Sequence, residues 1–174
     1  LDKFEDTIEI DTLLRCLESF PDASFLFTMP NADPGNKVIR KRIKNFVKHH
    51  NSSIYVESLG QQKFLSCLSF VDGIIGNSSS GLLEAPNFNI GTINIGDRQK
   101  GRERAASVID VQAKELEIVE AMNKIISQEF KDSIKLQKNP YGVPGASKKI
   151  INIIQDFFQI NKEEVSLVKR FRDL

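Results

Sequence analysis

Three groups of residues between Asp72 and Arg104 have the types and spacing to hold a phosphorylated ligand. The first is the turn Asn77-Ser78-Ser79-Ser80-Gly81. It follows the apolar run Ile74-Ile75, which stops at Gly76, and precedes Leu82-Leu83-Glu84-Ala85, the expected first turn of a helix. A strand, a small-residue turn and a helix in that order gather main-chain N–H groups at a positive helix end, which suits a phosphate. Ser78 and Ser79 add hydroxyl donors, although Ser-x-x-x-Glu is also an ordinary way to begin a helix. The second group is Glu84, one turn further on, whose carboxylate can accept both hydroxyls of a ribose. The alternative for Glu84 is an exposed helix glutamate. The third is the basic loop Asp97, Arg98, Lys100, Arg102 and Arg104, after a second apolar run ending at Gly96. Arg98 and Arg102 can neutralise a diphosphate, or the loop can be a solvated turn.

Other chemistries fit less well. The G-x-S-x-G nucleophile elbow is not matched, because Gly76 and Ser78 are followed by Ser80. A serine hydrolase also needs a His, and His49-His50 close a basic helix, where a solvent-facing C-terminus is expected. Cys16 and Cys67 have no Cys or His at ligand spacing and read as two buried reduced thiols. No metal and no cofactor is implied.

These groups need a scaffold, and the periodicities supply one. Ile10, Leu13, Leu14 and Leu17 fall at helical spacing and end at Phe20-Pro21. Strands are expected at Ser24–Met29, Ser53–Glu57, Gly73–Ile75, Gly91–Ile95 and Ser107–Val111. Between and after them lie a helix with Ile39, Ile43, Phe46, Val47 and His50 on one stripe, and helices over Gln61–Phe70, Glu115–Ser127 and Ala146–Phe158. A Lys- and Pro-rich connection joins the last two. Alternating strands and helices mean a parallel sheet covered on both faces, a Rossmann-like three-layer αβα sandwich. Ligands of such sheets bind beyond the carboxyl ends of the strands. The loops at Asn31, Leu59-Gly60, Asn77–Gly81 and Asp97–Arg104 all follow strands at that edge, so they converge on one crevice.

The whole chain is that of an ordinary folded protein. Its 174 residues are 40% hydrophobic and 27% charged, with a formal net charge of +1. One domain is the default at this length. The charge balance argues against a general nucleic-acid surface, and no apolar run is long enough to span a membrane. The acidic N-terminus does not resemble a secretory signal, so a cytoplasmic setting is expected. Leu1 stands where Met would begin a natural chain, which implies a cut or processed protein.

The string GNSSSGLLEAPNFNIGTINIGDRQKGRE resembles the signature of hydrolysing UDP-N-acetylglucosamine 2-epimerases. The Gly-Asn-Ser-Ser turn, the Glu five residues past the second Ser, and Ile-Asn-Ile-Gly-Asp-Arg-Gln-x-Gly-Arg all match, in order and at the family spacing. Weaker similarity runs from Pro30-Asn31-Ala32-Asp33 to Phe158. The resemblance implies the C-terminal domain of a GT-B fold, with residues 1–159 as the nucleotide-binding domain and 160–174 as a tail packing on the missing N-terminal domain with an exposed apolar face. It implies a nucleotide set of Asn31, Leu59 through its backbone, Ser78, Ser79, Gly81, Glu84, Arg98 and Arg102. Arg98 would stabilise the leaving group, and no catalytic residue would lie in this chain. One departure is Val143-Pro144, where the family stretch N-P-Y-G-D-G-x-A has Asp-Gly.

In the family reaction UDP leaves C1 while a proton leaves C2, and water adds to the 2-acetamidoglucal to release N-acetylmannosamine for sialic or related acid synthesis. By that resemblance the partner is UDP-GlcNAc or a related UDP-diacetamido sugar. The isolated chain would be inactive, and the full-length enzyme a homo-oligomer. Two alternatives keep the nucleotide contacts: the donor-binding domain of a GT-B glycosyltransferase, and a non-enzymatic nucleotide-sugar sensor.

Overall fold

A computed structural model of the chain describes residues 3–30, 36–142 and 144–160. Asn31 to Gly35, Val143 and the expected tail beyond Ile160 lie outside the described residues. The five strands fall where alternation and apolar runs place them: β1 (Phe25–Thr28), β2 (Ser53–Val56), β3 (Gly73–Gly76), β4 (Gly91–Ile95) and β5 (Val108–Val111). All pairings are parallel, with helical crossovers between β1 and β2 and between β3 and β4, and a helix-free loop between β4 and β5. They form two ladders, β1-β2 and β3-β4-β5, with no strand pairing joining the two among the described residues. A single continuous ladder, the simplest form of the expected sheet, is therefore replaced by two short ones. Nevertheless one hydrophobic cluster runs from Met29, Ile43 and Phe46 to Ile93, Ile95 and Val111.

The helices cover these sheets. α1 (Lys3–Glu18) buries Leu13, Leu14 and Leu17, and α2 (Asn36–His49) buries Ile43 and Phe46. α3 (Gly60–Leu68) precedes β3, and α4 (Ser80–Leu83) follows it. α5 (Glu115–Ile126) buries Ile118, Ala121, Met122 and Ile125. β4 is buried at every residue, as a central strand covered on both faces must be. A Cβ on Gly91 would lie 2.6 Å from Ile125 Cβ, so only glycine lets α5 approach β4 this closely.

Three local expectations need correction. The helix expected after the serine turn lasts one turn, because Pro86 has no N–H to continue it; a 3-10 turn over Ala85–Phe88 follows, ending at Asn89 with φ 52°. The connection after Ser127 contains a further helix, α6 (Gln128–Ser133), whose cap is the Ser127 hydroxyl accepting from Phe130 N–H at 3.2 Å. Ser127-x-x-Phe130, with Ile134 four residues on and both apolar side chains buried, is the signal for it. Cys67 is only half-buried, whereas Cys16 is buried; both are free thiols.

The chain divides into two compact units, Leu1–Tyr141 and Gly142–Leu174. The second contains α7 (Ala146–Ile160), in which the Phe157 and Phe158 rings meet edge-on at 5.7 Å.

Candidate functional site

The serine turn leaves β3 at Gly76, whose φ of 142° is open only to glycine. The N–H groups that follow it do not all point outward, as the sequence suggests. Those of Gly81, Leu82 and Leu83 donate back to the carbonyls of Ser78 and Ser79 at 2.9–3.2 Å, and Ser80 N–H donates to Ser78 Oγ at 3.3 Å. The N–H groups of Ser78 and Ser79 find no acceptor among the described residues. Ser79 occupies the N-cap position, yet its hydroxyl makes no cap bond. The simple capping role is thus not taken up, and the donors left over are Ser78 N–H, Ser79 N–H and the serine hydroxyls. With only four residues, α4 adds little dipole, so any pull on an anion here would come from these local donors.

Gly81 is buried for a packing reason. A Cβ there would meet Thr92 Cγ2 at 2.5 Å, and Gly81 carbonyl accepts from Thr92 Oγ1 at 2.8 Å. This contact anchors the turn to β4.

Glu84 ends α4 in a half-buried position. Its Oε2 is buried and has no hydrogen-bond partner among the described residues. A buried carboxylate oxygen without a donor costs free energy, a state that Asn94 Oδ1, Gln99 Oε1 and Ser107 Oγ share among the described residues.

The basic loop begins at Gly96, beyond β4. Gln99, which the sequence reading passed over, is its anchor: 4% exposed, with Nε2 donating to Asn77 carbonyl at 2.7 Å. Arg98, beside it, is exposed and reaches Asn77 Oδ1 only at 3.4 Å. Arg104 is not available to a ligand in the same way. Its Nε and Nη2 bind Asp110 at 3.0 and 3.2 Å, and its Nη1 donates to the carbonyls of Gln99 and Arg102. The guanidinium of Arg102 has no partner among the described residues. Burial opposes the charge on Asp110, but hydrogen bonds from Arg104 and Asn94, with the Arg104 charge, outweigh it and hold the carboxyl below the ordinary range.

Further supports are residues without an obvious chemical role in the sequence. Asn139 Nδ2 donates to Leu83 carbonyl at 2.9 Å, Gln137 Nε2 to Pro86 carbonyl at 3.2 Å, and Tyr141 hydroxyl to Glu103 carbonyl at 3.1 Å. The Asn139-Pro140-Tyr141 stretch therefore braces α4 and the basic loop. Val143, at the departure from the family stretch, lies outside the described residues, as does Asn31.

Leu59 is the N-cap residue of α3, whose first residue Gly60 has φ 64°, and Ser58 Oγ accepts from Gly60 N–H at 3.1 Å. The two histidines differ. His49 is exposed and bonded to Asn45 carbonyl, whereas His50 is half-buried, stacked on Phe46 at 5.1 Å and bonded to Ser53 Oγ at 2.9 Å. His50 is thus a packing residue rather than a solvent-facing one, because its ring completes the aromatic cluster around Phe46.

The structure thus joins the serine turn to the basic loop through Asn77, Gln99 and Arg98. Comparisons with known proteins bear on what this arrangement serves. Polysialic acid biosynthesis protein P7 of Escherichia coli is 38% identical over 157 residues, 90% of this chain and 40% of that protein. GDP/UDP-N,N'-diacetylbacillosamine 2-epimerase (hydrolyzing) of Campylobacter jejuni is 42% identical over 126 residues, 72% of this chain and 32% of that protein. Among solved structures, UDP-GlcNAc 2-epimerase from Neisseria meningitidis bound to UDP-GlcNAc matches with a TM-score of 0.66 at 21% identity, over 86% of this chain and 41% of that one. The S. aureus MnaA–UDP structure matches with a TM-score of 0.69 at 20% identity, over 92% of this chain and 43% of that one. These likenesses establish the Rossmann-like fold, and the chain spans less than half the length of each relative. The family model for UDP-N-acetylglucosamine 2-epimerase matches residues 2–155, and the chain belongs to that family.

Proposed function

We propose that this chain is the nucleotide-binding, C-terminal domain of a hydrolysing UDP-GlcNAc 2-epimerase of the GT-B arrangement. It holds UDP while groups on an N-terminal domain transfer the protons. The observation that carries the reading is the buried, partnerless Oε2 of Glu84, in the same short segment as the unused donors of Ser78 and Ser79. Turned outward, the Glu84 carboxylate would exchange that unpaired state for a ribose hydroxyl, and a diphosphate would take the serine donors with Arg98 and Arg102. Asn31 and the Leu59 backbone complete the proposed set, lining the crevice and meeting the base.

In this reading UDP departs from C1 as a proton leaves C2, and water adds to the resulting 2-acetamidoglucal to give free ManNAc. Arg98 stabilises charge that grows on the departing diphosphate. Residues 160–174 pack on the N-terminal domain, the enzyme works in the cytoplasm as a homo-oligomer, and its product feeds sialic or related nonulosonic acid synthesis. The chain alone binds UDP without turning over substrate.

A diacetamido sugar is a second reading for the substrate. Two relatives named as hydrolyzing 2-epimerases, one of GDP/UDP-N,N'-diacetylbacillosamine and one of UDP-N,N'-diacetylbacillosamine, are 42% and 43% identical over their matched stretches, against 29% for a UDP-N-acetylglucosamine 2-epimerase of Neisseria meningitidis. The test is an assay of the natural full-length protein with each UDP-sugar. Release of UDP and a free 2-epimerised sugar without any acceptor supports the proposal. Turnover that requires an acceptor sugar would instead identify a glycosyltransferase.

A further inference from the structure

The loop from Asp97 to Arg104 contains no helix or strand; turn bonds from Lys100 N–H to Asp97 carbonyl at 2.9 Å and from Arg102 N–H to Gln99 carbonyl at 3.3 Å shape it locally, and side-chain contacts tie it to the sheet. Those contacts form one continuous path. Asn94 of β4 is 1% exposed and donates from Nδ2 to Asp110 Oδ1 at 2.6 Å, the two residues being register partners across the β4–β5 ladder. Asp110 in turn accepts from Arg104 Nε and Nη2, and Arg104 Nη1 donates to the carbonyls of Gln99 and Arg102. Gln99 then reaches Asn77 carbonyl at the start of the serine turn. Arg98 is adjacent to Gln99 and has only a long contact of its own, so the loop backbone decides where its guanidinium stands.

We propose that Asp110 is a positioning residue for nucleotide binding: through Arg104 it fixes the 97–104 loop against Asn77, and thereby sets the place of Arg98. The proposal rests on the nucleotide reading of the serine turn. Three physical points support it. Arg104 uses its planar fork on a carboxylate and two carbonyls at once, which a point-charge ammonium cannot do. Gln99 is buried, so displacing the loop would strand a donor from its acceptor. Gly101, with φ 81°, lets the loop reverse between Gln99 and Arg104 without strain.

A double-mutant cycle on UDP affinity tests this, using Asp110→Asn, Arg98→Ala and the pair, with amide spectra of each chain free of ligand. The Asp110–Arg104 pair is partly exposed, so Asp110→Asn weakens UDP by about fivefold. It also moves the amides of Asn77 and residues 97–104 while leaving those of α1 in place. In the Arg98→Ala background the same substitution has a smaller further effect, because of the two loop arginines proposed for the diphosphate only Arg102 is left to be positioned. An equal loss in both backgrounds, or unmoved loop amides, overturns the proposal. Arg104→Lys provides an independent variant with the same expected coupling, and its failure to couple counts equally against it. If the wild-type chain binds no UDP, the nucleotide reading and the binding role of Asp110 both fall. The ligand-free amides then decide separately whether Asp110 shapes the loop.

Discussion

Gln99 Nε2 donates to the main-chain carbonyl of Asn77 at 2.7 Å, and this bond joins the basic loop after β4 to the serine turn after β3. Both loops lie at the carboxyl ends of adjacent parallel strands, where ligands of such sheets bind. The bond accounts for the proximity of Arg98 to the turn, which Arg98's own 3.4 Å contact would hold only weakly.

Replacing Gly81 tests the packing under the serine turn. Gly81→Ala places a methyl against Thr92 Cγ2, and overpacking of this kind costs about 1–3 kcal/mol. Thr92→Ser removes that methyl and keeps the hydroxyl that donates to Gly81 carbonyl. Urea denaturation is expected to show the loss in Gly81→Ala and its partial recovery in the double variant.

Glu84→Gln separates ligand binding from stability. In the free chain the buried Oε2 has no partner, so replacing the carboxylate leaves unfolding free energy unchanged or raises it. Affinity for UDP falls about tenfold, as expected for a hydrogen bond to a charged group. Calorimetry with UDP and 2'-deoxy-UDP checks the assignment: the wild-type chain discriminates between them and the variant does not.

How much of this was legible in the sequence follows from the kind of signal each residue gives. Strand positions were readable because Phe25–Thr28 and Gly91–Ile95 are short apolar runs between turn residues. The serine turn and the basic loop were readable because their types alone suggest anion binding. Gln99, Asn94, Asp110 and Asn139 were not, since a single polar side chain carries no period, and its partner is set by tertiary contact. Arg104 looked equal to Arg98 in sequence, yet only structure shows that Asp110 engages it. The one-turn length of α4 was readable in principle from Pro86, whose missing N–H closes it.

Arg98→Ala tests the leaving-group role in the full-length enzyme. Loss of one donor to an oxyanion costs about 3–4 kcal/mol in comparable sites. The expected result is a fall in kcat of about two to three orders of magnitude, measured as UDP release. A change confined to KM would mean that Arg98 binds ground state and transition state alike.

The Asp110–Arg104 pair predicts a pH response. The folded-state carboxyl of Asp110 lies below its ordinary value, so the stability it contributes is fully present above that value. It is lost as pH falls through the depressed folded value. The ionised-carboxylate signal of Asp110 in carboxyl carbon spectra is therefore expected to persist from pH 7 through the ordinary carboxylate range and to give way to the protonated form only below it. Its loss near pH 5 would contradict the assignment.

Ser78 to Glu84, with the 97–104 loop, are proposed to form the UDP site. Amide shifts of the labelled chain titrated with UDP test it most directly. Saturable shifts are expected at Ser78 to Glu84, at residues 97–104 and near Leu59-Gly60, with α5 unchanged. No perturbation at Ser78 to Glu84 by millimolar UDP would contradict it.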